Sequence, residues 1–244
     1  MADKIIPIDS KYRNKHYSNG FFASIAKSAR GGGIAIIICG LILALIGGGI
    51  IALLISFFAS DGFRIDGESI FGIIFGLVFF VPGILCIWFG IRRKKMNDSD
   101  WIKKFMEVSD YPESVIRDFG NQVLEEGSIR MQLGTSGIQG FLTRDYICIC
   151  NLLAPCVIKI EDILGAYFVE MSNRINVNGK MRTIYDTNIA IFSNHKTLAL
   201  SEVKEKTYKQ IIEILKQKNP SIDIATGRML SEKEYNQIKD QLCN

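Results

Sequence analysis

At 244 residues and 48% hydrophobic content, the chain is too long for one small domain and too apolar in one block for an all-soluble protein. Its formal charge of +4 argues against a polyanionic partner once it is divided along the chain. Residues 1–30 hold six Lys/Arg against two Asp, Arg92, Arg93, Lys94 and Lys95 add four more, and residues 96–244 hold eighteen Lys/Arg against twenty Asp/Glu.

All the positive excess flanks the apolar block, so it reads as a topology signal and gives no indication of nucleic acid. Residues 1–30 are expected as a basic cytoplasmic segment. Within it, Phe21, Phe22 and Ile25 beside Lys27 and Arg30 predict a short interfacial helix. The first apolar run begins after about 30 residues and exceeds a signal-peptide core, so the N-terminus is expected to be retained.

Residues 34–58 and 70–91 carry no charged side chain. At 1.5 Å per residue each run matches or exceeds the roughly 30 Å hydrocarbon layer. They predict a two-helix transmembrane hairpin over residues 31–95. Lys11, Arg13, Lys15, Lys27 and Arg30 precede the first span and the Arg92–Lys95 cluster follows the second, with Arg64 alone between them. Basic residues resist translocation, so both termini are expected in the cytoplasm of a multi-pass plasma-membrane protein, with residues 59–69 outside.

In the first span Gly40, Ala44, Gly48, Ala52 and Ser56 recur every four residues, and the second offers Gly72, Gly76, Gly83 and Gly90. Small side chains on one face let helix backbones approach, so these residues are expected to pack the hairpin or a homo-oligomer. Pro82 removes a backbone donor and predicts a kink. Neither span holds an ionisable group, which weighs against a transport pathway.

Beyond the basic cluster, residues 96–127 read as a helical linker. Trp101, Ile102, Phe105 and Met106 mark one helix face, and a second helix starts after Pro112 with Ile116, Phe119 and Val123 as its stripe. From residue 128 the period changes to that of strands, in nine short runs (129–133, 138–142, 146–151, 156–160, 165–171, 174–177, 180–185, 189–192 and 197–200) that read as roughly seven or eight short antiparallel strands. Asn178-Gly179 is a strong hairpin signal, and Asn194-His195 is a second one. An amphipathic helix over 202–218, capped by Ser201, closes the sheet. A final helix follows the Ser231/Glu234 capping box in residues 221–244.

Patterns for a phosphate-binding loop, a dinucleotide fold, a zinc protease, a serine hydrolase or an EF-hand are all absent, so no cofactor and no enzyme activity is expected. Of the two histidines, His195 falls in a turn. Cys148, Cys150 and Cys156 lack the paired spacing of zinc ligands and read as small apolar residues of a buried strand, in keeping with a reducing compartment. Arg130, Arg144, Lys159, Arg174, Lys180 and Arg182 are candidates for a face that binds anionic lipid headgroups.

The succession of residues 143–147 (TRDYI), 158–167 (IKIEDILGAY), 189–192 (IAIF) and the helix ending at Lys218, Asn219 and Pro220 resembles the pleckstrin-homology-like (PH-like) domains of bacterial membrane proteins. The resemblance covers residues 128–220. It implies an α+β domain, an antiparallel roll of about seven strands plugged by a C-terminal helix, with a binding or scaffolding role. The expected function is a membrane-anchored, non-enzymatic interaction module with a protein partner. The alternatives are an anionic-lipid reader, a subunit of a small transport complex, or an enzyme of unrecognised class.

Overall fold

The computed structural model describes residues 4–61, 67–133, 138–150, 155–177, 180–194, 196–200, 203–224 and 228–242. Two compact units emerge. One joins Met1–Phe22 to Ile102–Asn244, and the other is Ala23–Trp101. The apolar hairpin is therefore inserted into the sequence of the first unit, whose two parts lie on either side of it in the chain.

Within the second unit, helix α2 (Phe21–Asp61) and helix α3 (Gly67–Lys95) are each long and apolar enough to cross a membrane. Only 11% of each helix's most apolar window is buried, so most of the apolar surface faces outward. Pro82 lies inside α3, which is assigned as one helix throughout. Residues 62–66, the centre of the expected external turn, lie outside the described residues. The expected interfacial helix is the first part of α2 and has no boundary of its own.

The two helices meet along glycines spaced by seven. Gly33, Gly40 and Gly47 on α2 and Gly76, Gly83 and Gly90 on α3 are buried. A Cβ on Gly40 would stand 2.7 Å from the Gly83 carbonyl oxygen, and one on Gly83 would stand 2.6 Å from the Ala44 amide nitrogen. A Cβ on Gly33 would lie 2.9 Å from the Gly90 carbonyl, and one on Gly47 would lie 2.5 Å from that of Gly76. Of the expected packing residues, Gly40, Gly76, Gly83 and Gly90 lie in this seam and the Ala44 backbone borders it. Gly48 would meet only the Phe80 ring at 3.6 Å, Gly72 faces the Leu54 side chain, and Ala52 and Ser56 are exposed. A four-residue repeat advances about 40° around a helix at each step, whereas a seven-residue repeat drifts only about 20° and stays against its partner.

The first unit opens with strand β1 (Lys4–Pro7), which pairs antiparallel with β2 (Ile129–Leu133), aligning Lys4 with Gln132 and Pro7 with Ile129. Strands β3 (Ile138–Leu142), β4 (Tyr146–Cys150) and β5 (Cys156–Lys159) continue the meander into a five-stranded sheet. A second sheet holds β6 (Ile163–Val177), β7 (Lys180–Ser193), β8 (Thr197–Leu200) and β9 (Met229–Ser231) in the order β8-β7-β6-β9.

Four of the expected short strands are thus joined into one long hairpin, β6 and β7. The register runs from Ile163 opposite Ser193 to Val177 opposite Lys180, with one irregularity at Ile163/Gly165. The expected turns at Asn178-Gly179 and Asn194-His195 involve residues 178, 179 and 195, which lie outside the described residues, as does Ser201. β1 and β9 were not expected. Four and three residues long, they show too little alternation to read from sequence.

Helix α6 (Glu205–Lys218) buries Tyr208, Ile211, Ile212 and Leu215 in a single core with Met131, Leu133, Ile147 and Ile149 of the first sheet and Phe168, Ile189 and Ile191 of the second. The opposite face of the second sheet buries Tyr167, Val169 and Phe192 with Leu230 and Tyr235, the latter on helix α7 (Glu232–Leu242). On the first sheet, Phe141 meets Phe21 edge-on at 5.2 Å, and Phe119 meets Phe21 at 5.3 Å and Tyr146 at 6.0 Å. Phe105 and Phe119 come from helices α4 (Asp98–Ser109) and α5 (Glu113–Gln122). Both faces of the first sheet are therefore covered, which is why Tyr146, Ile147, Cys148 and Ile149 are buried in succession.

Candidate functional site

The six cations considered for a headgroup face fall into three places. Arg130 on β2 donates to the Tyr12 hydroxyl, and its guanidinium stacks 5.6 Å from the Tyr12 ring centroid. Tyr12 belongs to helix α1 (Ser10–His16), whose N-cap Asp9 accepts from the Tyr12 amide, and Arg13 on the same helix donates to the Leu124 carbonyl. Arg130 therefore fastens the N-terminal segment to the first sheet. His16 is exposed and stacks on Tyr12 at 4.3 Å.

Arg144 and Lys159 line a second place, an open recess of about 600 Å³, together with Tyr146, Glu161, Lys218 and Asn219. The recess lies where the β3–β4 turn, the end of β5 and the end of α6 converge. Its cations already have partners. Arg144 contacts Asp145 at 3.0 Å and Glu125 at 3.1 Å, Lys159 contacts Glu161 at 3.2 Å, and Lys218 donates to the Arg144 carbonyl. An anion entering here would compete with carboxylates already in place, so the recess is close to electrostatic balance.

Asp145 and Tyr146 of the recess also belong to a hydrogen-bonded network. Gln122, buried at the end of α5, donates to Asp118 at 2.9 Å and to Asp145 at 2.7 Å, while its carbonyl oxygen accepts from the Thr143 hydroxyl and the Asp145 amide. The Tyr146 hydroxyl donates to Asp118, and the Tyr111 hydroxyl donates to Asp162. Burial, reinforced by these carboxylates, pushes both phenols well above their usual range. They stay neutral donors at any physiological pH.

The third place is the far end of the β6–β7 hairpin, where Lys180 and Arg182 are exposed and Arg174 takes register with Thr183. Arg174 is eleven residues beyond Ile163, about 35 Å along the strand at some 3.3 Å per residue. These cations and those of the recess therefore do not form one face.

Of the three cysteines on the first sheet, Cys148 and Cys156 are buried and Cys150 is partly buried. Cys148 pairs in register with Val157 and Cys156 with Ile149, so their side chains leave opposite faces of the first sheet. Burial raises the Cys148 and Cys156 thiols above their usual value and pushes that of Cys150 up to about 12. Such thiols are poor nucleophiles at neutral pH. Among the described residues no three His, Cys, Asp or Glu side chains converge as metal ligands.

No family model, no curated protein and no solved structure matches the chain.

Proposed function

We propose that the chain is a membrane-anchored interaction module, non-enzymatic, in which a PH-like domain is held at the cytoplasmic face by a hairpin inserted into its own sequence. The observation that carries this reading is the pairing of β1 with β2, which folds the segment before the hairpin together with the segment after it. Two segments of one folded unit occupy one side of a membrane, so a hairpin between them crosses twice or not at all. The asymmetry of basic residues then favours the cytoplasm for both ends.

Support for the PH-like part lies in the order of elements. A four-strand meander (β2 to β5) is followed by a three-strand one (β6 to β8) and then by α6, all sharing one core. β1, β9 and α7 are additions around that arrangement. Fold alone does not identify a ligand. A scaffolding role suits a domain whose recess holds paired charges and whose Cys148, Cys156, Tyr111 and Tyr146 side chains are buried. Crosslinking the full chain in native membranes, followed by identification of what is captured, is expected to recover a protein partner or a second copy. Recovery solely as an uncrosslinked monomer overturns the interaction role.

A further inference from the structure

We infer that the outer half of the β6–β7 hairpin is an arm that binds the surface of an anionic bilayer, giving the anchored domain a second membrane contact. The inference rests on the membrane-anchored reading above and names a partner for one part of the domain.

Lateral support ends well before the hairpin does. β9 pairs with β6 at Phe168, Val169 and Glu170, and β8 pairs with β7 from Ile189 to Phe192. At Ser172 the amide and hydroxyl still donate to Glu232 of α7. Among the described residues, strand pairing for 173–177 and 180–185 is with each other alone. In the outer part of β7, Lys180, Met181, Arg182, Thr183, Ile184 and Tyr185 are all exposed. A strand alternates its side chains between two faces, so neither face of the outer part of β7 rests on the core.

The composition is unusual for a solvated arm. Met181 is 65% exposed, Tyr185 64% and Ile184 41%. Together they make up three of the five large hydrophobic residues that the first unit exposes among its described residues. The charge has one sign. Between Glu170 and Asp186 the chain carries Arg174, Lys180 and Arg182 and no acid, although residues 96–244 as a whole hold more acidic than basic residues.

Cations beside exposed Tyr, Met and Ile match the headgroup region of an anionic leaflet. Basic groups meet phosphate and carboxylate there, and apolar or amphipathic side chains enter the acyl boundary. An acidic protein would satisfy the charges equally well. The hairpin, however, keeps the domain beside lipid at high effective concentration, which favours the bilayer as occupant. Cations on open strand edges also guard against edge-to-edge aggregation. If that were their only role, the arm would be indifferent to lipid charge.

The test uses the full chain reconstituted in vesicles of phosphatidylcholine alone or of phosphatidylcholine mixed with phosphatidylserine, and reads amide hydrogen exchange in peptides covering 172–185. Exchange is expected to slow in the phosphatidylserine vesicles and to recover when salt is raised. Each basic residue near an anionic surface is worth about fivefold in binding, so Lys180→Ser with Arg182→Ser is expected to lower the arm's bound-to-free ratio about 25-fold. Peptides from α6 report that the variant remains folded. Equal exchange in both lipids overturns the inference, as does protection that follows protein density and ignores lipid charge, which would mean a second copy. Extraction of the chain at alkaline pH is read separately. Release from the bilayer would sink the anchored reading itself, whereas retention with an indifferent arm sinks the arm alone.

Discussion

Gly47 and Gly49 lie two residues apart on α2 in different surroundings. A Cβ on Gly47 would come within 2.5 Å of both the Gly76 carbonyl oxygen and the Phe80 amide nitrogen, while one on Gly49 meets nothing within 4 Å. Backbone cannot rotate aside as a flexible side chain can, so the helices would have to part. Overpacking of this kind costs about 1–3 kcal/mol. Gly47→Ala is therefore expected to weaken the hairpin by that amount in detergent-driven unfolding of the reconstituted chain, with Gly49→Ala close to neutral. Equal effects would show that the seam does not hold the helices. At α7, the Arg228 guanidinium bonds to Glu234 at 2.6 Å and, with the Ser231 amide and hydroxyl, holds its carboxyl down at about 2, below the ordinary 4.5. A depressed carboxyl contributes above its unfolded value and loses that contribution as protons bind. Amide protection at the start of α7 should therefore be constant above about pH 4.5 and decline toward pH 2. Glu234→Gln should remove that dependence.

Gln122 decides how α5 is attached, because one buried amide satisfies two carboxylates, a hydroxyl and a backbone amide. Gln122→Ala leaves those groups without their partner, at about 1–3 kcal/mol. Faster amide exchange is expected in α5 and in the β3–β4 turn, with α6 unchanged; uniform loosening would mean that the network is no local fastener. None of this was visible in sequence, where Gln122 is one polar residue at a helix end. The individual strands 129–133 and 138–142 were legible because core positions recur along them. The tip of the long hairpin was legible too, from Asn178-Gly179 between the runs 174–177 and 180–185; its continuity with the inner strands was not, because residues 180–185 are all exposed and show no buried alternation to join them to 189–192. Phe21 and Phe22 misled for a related reason. Beside Lys27 and Arg30 they have the composition of a membrane-interface segment, yet Phe21 packs on Phe119 and Phe141, and Phe22 lies 5.4 Å from Phe105. Sequence periodicity identifies an apolar face without naming its partner.

At the scale of the whole molecule, the short strand β1 carries the most consequence. Residues paired across an antiparallel ladder have Cα atoms about 4.5–5.5 Å apart, within the range a disulfide spans. Lys4 is exposed and stands opposite the half-buried Gln132, so a cysteine pair there tests the pairing without entering the core. Among the native thiols Cys148 and Cys156 are protected by burial, and replacing Cys39, Cys86, Cys150 and Cys243 by Ser removes the remaining competitors. With a protease site introduced within 62–66, the oxidised Lys4→Cys/Gln132→Cys chain should run as one species after cleavage and separate into two on reduction. Separation without reduction would break the β1–β2 pairing and, with it, the argument that both flanks share one side. The side from which protease cuts then determines orientation. Cleavage from outside the cell, with the flanking segments labelled only from the cytoplasm, requires two complete crossings and cytoplasmic ends. Cleavage only from the cytoplasm would mean either an inverted hairpin with both ends outside or one lying in the inner leaflet without crossing, and either outcome overturns the expected orientation.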